Sequence, residues 1–462
     1  MSAVLWTSDE IAAAVDGAAS GPAFAVTGLA IDSRSVESGD LFIALKSARD
    51  GHDFIPQALA AGAAGSLASR PVLGSSILVE DTLAALVKLG AAARERAGGA
   101  RRGAVTGSVG KTSVTQAVLD GLKLAGAGHG SVKSFNNHIG VPLTLARMPK
   151  TTRRAVFEIG MNHAGEIEPL SHLVRPHAVA VTNVEAVHVE NFTDGEAGVA
   201  KAKAEVFAGL QKGGAAILNA DNRWTGELAL LARSAGGEVR TFGDAPGADA
   251  RMMRFSATSQ GAEVESRIDG APLIFTLRQS AAHWGPMSLC ALLMMQALGL
   301  DLALAARALS AFEPLAGRGV VRRITAPAGA FTLVDESYNA SPVSVSAALR
   351  ALAARPAKGR RIVALTDMLE LGERAPALHA ALAQVIDKAD INLVFCAGPL
   401  MGALRDALPA ARLGAWAPTA AELAPLLAAA VAEGDVVMVK GSNASKASLL
   451  VEALTALEEA GR

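Results

Sequence analysis

The chain has 462 residues, of which 51% are hydrophobic and 19% charged. That composition excludes a disordered protein, and the length predicts roughly two to four domains. Lys and Arg number 43 against 44 Asp and Glu, so no charge excess points to nucleic acid or an anionic membrane as partner. Only Cys290 and Cys396 are present, far apart in apolar runs, which excludes a disulfide framework and a cysteine zinc site.

The N-terminal stretch "MSAVLWTSDEIAAAVDG" has no basic start followed by an apolar core, so it is not read as a signal peptide. It predicts a helix opened by a capping box from Thr7 to Glu10. Apolar stretches are interrupted before membrane-spanning length, and a soluble, cytoplasmic protein is expected. Residues 1–97 alternate short strands ("AVTGLAID", "DLFIAL", "SSILVE") with Ala-rich helices, as in a small α/β domain. "RERAGGARRG" reads as a linker. Residues 98–315 carry apolar strands that end in polar residues: "GAVTGS", "RAVFEIG", "HAVAVTNV", "AAILNADN". Helices lie between several of them, the pattern of a parallel sheet with function at strand C-termini. Residues 316–462 repeat the pattern in "GRGVVRRI", "FTLVDESYN", "RRIVALTDM", "INLVFCAG" and "DVVMVKGS". Three α/β domains in series are predicted.

Chemistry concentrates first at "AVTGSVGKTSVTQAVLDGL". The strict phosphate-loop pattern G-x-x-x-x-G-K-[ST] needs glycine at 105, where Val105 stands; the glycine is Gly107 instead. A strand, a glycine turn, Lys111, Thr112 and an amphipathic helix are still the order a phosphate site needs. Backbone N–H groups converge on phosphate oxygens, Lys111 reaches the β- and γ-phosphates, and the Thr112 hydroxyl holds Mg²⁺. The loop by itself indicates a nucleotide, not a reaction.

Further along, Glu158 ends a strand where a carboxylate could share the loop's metal or merely be solvated. Asn183, His188 and Glu190 follow another strand, and a lone histidine is more often structural than a ligand. Lys201 and Lys203 sit in a helical stretch, where lysines usually snorkel but one near a metal could be modified. In "VDESYNASPVS", Asp335 suits ribose hydroxyls, Tyr338 a base, and Ser341-Pro342 a helix start; a plain capping loop is the alternative. "VKGSNASK" offers Lys440, Ser442 and Asn443 to an anion or to ordinary capping.

Taken together these residues resemble the Mur ligases, the ATP-dependent amide-forming enzymes of peptidoglycan synthesis. The form T-G-x-x-G-K-T is that family's own, and "SFNNHIGVPLTL", "EIGMNHAGEI", "AVHVENF", "VAKAKAEVF", "DESYNASP", "DMLELG", "IDSRSVESGDLFIAL" and "DGHDFIPQAL" extend the likeness over nearly the whole chain. The resemblance implies a three-domain α/β fold, with a central P-loop parallel-sheet ATPase domain and a Rossmann-like C-terminal domain. It implies UDP-N-acetylmuramoyl-tripeptide and D-alanyl-D-alanine as substrates, with ATP and Mg²⁺, and a monomer is expected.

By the same resemblance, Thr106, Gly107, Ser108, Val109, Gly110, Lys111, Thr112 and Ser113 hold ATP phosphates, with Thr112, Glu158, His188 and Lys203 around Mg²⁺. Lys203 stands where relatives carry a carbamylated lysine, and Arg318 where an arginine faces the phosphates. His283, Asp335, Tyr338 and Asn339 belong to the nucleotide site. Ser33, Arg34, Lys46 and His52 match uridine-diphosphate-sugar contacts. Asn136, Asn137 and His138 line the path of the peptide-bearing substrate, and Lys440 and Ser442 await the incoming dipeptide. The implied reaction passes through an acyl phosphate, shielded by closure of the third domain.

Met287 stands where relatives usually have an asparagine for adenine, Ser47 where glycine is usual, and Thr366 where glycine is common. Two other readings stay open. One is a related ligase adding a single amino acid to a nucleotide-sugar peptide, or glutamate to folate. The other is a nucleotide-binding regulator that forms no amide.

Overall fold

The computed structural model describes residues 3–131, 134–185, 191–258 and 261–458. Its chain divides into two compact units, and the first comprises 1–184, 200–251 and 288–309. This unit opens on the helix Ser8–Val15, and the Thr7–Glu10 capping box is present. A five-stranded sheet follows in the order Ala18–Ser20, Ser76–Leu78, Gly65–Ala68, Asp40–Ile43, Gly28–Ala30. It is parallel except for its first pair.

The unit's second sheet runs Glu238–Gly243, Ala215–Asn219, Ala178–Val181, Arg101–Thr106, Arg154–Glu158, Gly128–Gly130, all parallel. Arg101–Thr106, Arg154–Glu158, Ala178–Val181 and Ala215–Asn219 are the strands expected from the apolar runs; Glu238–Gly243 and Gly128–Gly130 were not expected. Val156, Phe157, Val179, Ala180, Ile217 and Leu218 are fully buried, as a sheet covered on both faces requires.

The presumed linker behaves differently. Only residues 97–100 separate the end of helix Thr82–Arg96 from the start of strand Arg101–Thr106, and Ala97 and Ala100 are buried. Arg102 is buried too, its guanidinium donating to the carbonyls of Val174 (2.9 Å) and Ala100 (2.8 Å). Burial first, then Arg94 and Arg175, lower its pKa to about 10. Charged letters suggested exposure, but long-range carbonyls supply partners that a local reading does not see. One core cluster joins Leu86, Leu89 and Ala93 to Leu143 and Ala146. The Trp6 indole N–H adds a bond to the Ala146 carbonyl at 2.9 Å.

The second unit comprises 185–199, 252–287 and 310–462. Its six-stranded sheet runs Val320–Ala326, Gly329–Glu336, Val436–Lys440, Arg361–Thr366, Leu393–Ala397, Leu413–Ala417. Only the first pair is antiparallel. Alternate residues face opposite cores. Val363, Leu365 and Met438 pack with Leu349, Leu382 and Ile386 on one side. Ile362, Ala364, Val437 and Val439 pack with Leu423, Leu427, Leu450 and Leu454 on the other. Each such fully buried aliphatic side chain contributes roughly 1.5–3 kcal/mol.

A hairpin, Gly261–Ile268 with Ala271–Leu277, was not expected. Its turn residues Asp269 and Gly270 both have positive φ, and an Asp-Gly pair between β-rich runs is the signal that could have found it. No helix among the described residues is long and apolar enough to cross a membrane.

Candidate active site

In the first unit the site grows from the central strand. Thr106 ends it, and the loop 107–110 turns into helix Lys111–Leu124. Val105 lies within the strand and is fully buried, so the loop begins two residues later than the strict pattern requires. Gly107 and Gly110 hold φ of 144° and 84°, values that glycine adopts freely. The neighbouring strand supplies a clasp: the Thr182 hydroxyl donates to the Val109 carbonyl at 2.5 Å, and the Ser108 N–H donates to the Asn183 carbonyl at 2.8 Å. Sequence reasoning singled out Asn183 but missed Thr182.

Lys111 Nζ donates to the Gly107 carbonyl at 2.7 Å, folding its ammonium over the loop. Thr112 is buried, its hydroxyl 3.3 Å from that of Ser134, and Ser113 occupies the same first helical turn. The buried Thr106 hydroxyl has no hydrogen-bond partner among the described residues.

Glu158 ends the strand beside the loop, in register with Val105, and is 1% exposed. Its Oε1 accepts from Asn136 Nδ2 at 2.7 Å. Oε2 is buried and has no partner among the described residues. A buried carboxylate oxygen at the end of the strand beside the phosphate loop, with the Thr112 hydroxyl opening the helix that follows that loop, offers oxygen donors suited to a hard divalent cation such as Mg²⁺.

Lys203 closes helix Glu196–Ala204 and is buried. Burial first, then the charge of Lys111, push its pKa well below the usual lysine range. Two residues on, Glu205 accepts N–H bonds from Gly165 (2.7 Å), Ile167 (3.1 Å) and Glu168 (3.3 Å), tying the loop after Glu158 to the end of the Lys203 helix. Glu205 was not expected; its carboxylate caps helix Ile167–Val174 from a distance. His188 and Glu190 lie outside the described residues.

The sugar-contact candidates divide. Ser33 donates to Gln57 Oε1 at 2.9 Å. Arg34 is exposed and forked onto Asp32, whose pKa that pairing lowers to about 2. Lys46 is exposed and bridges to Asp50 through the backbone. His52 is buried with both ring nitrogens engaged: Nε2 accepts the Ser69 N–H at 2.9 Å, so Nδ1 carries the proton donated to Asp50 at 2.6 Å. Asn137 and His138 are exposed, and Asn137 Oδ1 caps the turn at Ile139 and Gly140.

In the second unit, Arg318 lies 4.0 Å from the centre of the Tyr338 ring. Asp335 is buried, its oxygens accepting from the Gly317 N–H and from both the N–H and hydroxyl of Ser337. A cavity of about 560 Å³ adjoins them, lined by Gly317, Arg322, Asp335, Ser337, Tyr338 and Asn443. Ser341 and Pro342 do open a helix, with Ser341 in a capping box. Lys440 is buried, donating to the Asn339 carbonyl at 2.9 Å and pairing with Glu336 at 3.5 Å. Burial lowers its pKa, partly offset by Glu336, whose charge also acts on His283. Ser442 Oγ accepts the Leu369 N–H at 3.0 Å. Thr366 meets the Ser445 hydroxyl at 2.6 Å, and Met287 is buried in the helix that follows His283.

Comparison with known proteins gives a consistent picture. The Mur ligase middle-domain model matches residues 105–294, the glutamate ligase domain of the Mur ligases residues 321–443, and the Mur ligase family catalytic domain residues 25–93. UDP-N-acetylmuramoyl-tripeptide–D-alanyl-D-alanine ligase of Escherichia coli (strain K12) is 33% identical, over 98% of this chain and 99% of its own. A crystal structure of MurF from Acinetobacter baumannii superposes with a TM-score of 0.86 at 26% identity, covering 98% of this chain and 99% of that one. MurF from Thermotoga maritima in complex with ADP shares the fold, with a TM-score of 0.76 at 24% identity over 94% and 98%.

Proposed function

The chain belongs to the Mur ligase family, an ATP-dependent ligase by that membership, and we propose that it joins D-alanyl-D-alanine to UDP-N-acetylmuramoyl-tripeptide. The observation that carries this is the pairing of the phosphate loop with Glu158 and buried Lys203, in a chain similar to ligases of that name over nearly its whole length. We read residues 1–97 as the nucleotide-sugar segment, 98–315 as the ATP segment and 316–462 as the dipeptide segment, working in the cytoplasm.

A carboxylate is a poor acylating agent because oxide is a poor leaving group. The tripeptide's terminal carboxylate oxygen therefore attacks the γ-phosphorus of ATP, the bond to the β-phosphate oxygen breaks, and ADP leaves. The dipeptide amine then attacks the acyl carbon, the bond from that carbon to the phosphate oxygen breaks, inorganic phosphate leaves, and the amine sheds a proton. Lys111 exchanges its loop carbonyls for phosphate oxygens, and the N–H groups opening helix Lys111–Leu124 face the same charge. Arg318 is read as a second cation for the transferring group. Thr112, Glu158, His188 and Lys203 would hold Mg²⁺, which supplies charge neutralisation at the phosphates.

Lys203 is read as carbamylated. Its lowered proton affinity favours the neutral amine; the unprotonated nitrogen attacks carbon dioxide, loses a proton, and becomes a carbamate carboxylate beside Lys111. This sets a negative charge beside the Lys111 ammonium where a second ammonium would be repelled. Asp335, Tyr338, Asn339 and His283 are read as nucleotide contacts. Ser33, Arg34, Lys46 and His52 are read as uridine-sugar contacts, and Lys440 and Ser442 as dipeptide contacts.

The test is phosphate release from ATP and Mg²⁺ with UDP-N-acetylmuramoyl-tripeptide, offering D-alanyl-D-alanine, D-alanine, L-amino acids or no amine. Sustained release with the dipeptide alone, and a product heavier by one dipeptide residue, is expected. Turnover with another amine changes the acceptor; ATP binding with no turnover on any amine overturns the reading.

A further inference from the structure

We propose that Asn136 is the positioning residue for Glu158, committing one carboxylate oxygen so that the other is held out for a divalent cation. The inference rests on the reading of Glu158 as a metal ligand and adds to it a residue that the sequence placed against the peptide substrate.

Asn136 spends its amide N–H on Glu158 Oε1 at 2.7 Å. The backbone repeats the tie: the Asn136 carbonyl accepts the Gly160 N–H at 2.8 Å, two residues beyond the carboxylate. The Glu158 N–H is fixed in turn by Ser131 Oγ at 3.1 Å. A β-carbon on Gly160 would lie 2.9 Å from the Asn136 side-chain amide, so residue 160 keeps the space in which that amide sits. These links hold the carboxylate, and Oε2 stays buried without a partner among the described residues. Such an orphan costs about 1–3 kcal/mol and persists only where the surroundings prevent the group from turning to find a donor.

The donor's chemistry matters as much as its place. A lysine or arginine at 136 would neutralise Glu158 and compete with a cation. An aspartate has no proton to donate at neutral pH and would repel it. An amide donates while leaving the negative charge intact, the arrangement that keeps a ligating carboxylate oriented.

The test measures Mn²⁺ binding from the electron paramagnetic resonance signal of the free ion. It uses the full chain with excess ADP, against ADP alone, for the wild type, N136A, N136D, G160A and E158Q. We expect N136A and G160A to weaken Mn²⁺ about 10- to 100-fold and N136D to weaken it at least as much. Melting temperatures should stay near wild type, and KM for the UDP-N-acetylmuramoyl-tripeptide should not change. G160A retains the amide but displaces it, so it decides the matter if N136A fails to fold. Wild-type Mn²⁺ affinity in N136A with loss in E158Q overturns the role of Asn136 alone. Unchanged affinity in E158Q overturns the metal reading as well. A raised KM for the nucleotide-sugar peptide with unchanged Mn²⁺ affinity returns Asn136 to the substrate.

Discussion

The hydroxyl of Thr182 occupies the space next to Gly107 that any side chain would need: a β-carbon on residue 107 would lie 2.0 Å from Thr182 Oγ1. With φ at 144°, residue 107 is constrained by backbone and neighbour alike. Gly107→Ala is expected to displace either the loop or Thr182 and to weaken ATP binding by about tenfold or more. Isothermal titration of a non-hydrolysable ATP analogue measures this, and Thr182→Ser, which keeps the hydroxyl, should bind within about threefold of wild type.

Lys111→Ala removes the cation folded over the loop but no buried packing. Ligation should fall about 10²- to 10³-fold while the melting temperature changes little. Unchanged turnover would discredit the phosphate-loop reading.

Lys203→Ala should lose activity by a comparable factor and recover part of it in added acetate or propionate, which supply the missing carboxylate. Wild-type protein equilibrated with ¹³C-labelled bicarbonate should show a carbamate carbon resonance that the variant lacks. Full activity in Lys203→Ala would sink the idea.

Much of this was legible because it is local. The Thr7–Glu10 capping box, the parallel strands and the glycine loop each depend on residues close in sequence, where propensity and spacing speak directly. The clasp from Thr182 was not legible, nor the burial of Arg102, nor the cap from Glu205. Each joins stretches tens of residues apart, and a threonine, an arginine or a glutamate carries no mark of the backbone group it will meet. The strand Leu413–Ala417 also escaped, because its residues are short of β-branched side chains.

Acid should weaken the first unit through His129. Burial lowers its pKa from 6.5 to about 4, with Nε2 against the Thr144 carbonyl at 2.7 Å. Between those values the unfolded chain binds a proton that the folded one refuses, so stability rises with pH across the window and is lost as pH falls through it. The loss is on the order of 1–3 kcal/mol, and His129→Gln should flatten the slope of denaturant-derived stability between pH 6.5 and 4.

Glu205→Ala removes the acceptor of three backbone N–H groups at the start of helix Ile167–Val174. A cost of about 1–2 kcal/mol is expected, read as a lowered unfolding midpoint. Glu205→Gln, which keeps one acceptor oxygen, should lose less.

The strand Val436–Lys440 has a consequence for how the chain acquires its shape. It lies between Thr332–Glu336 and Arg361–Leu365, partners encoded well before it, Thr332 and Arg361 both pairing with Val436. During synthesis those two strands emerge with their facing edges open, and neither can pair across the gap until the later segment has left the ribosome. The second sheet is therefore completed from its middle, late, by a contact of high sequence separation. In the interval it presents two unpaired β-edges to the cell, the stage at which a chaperone would have most to bind.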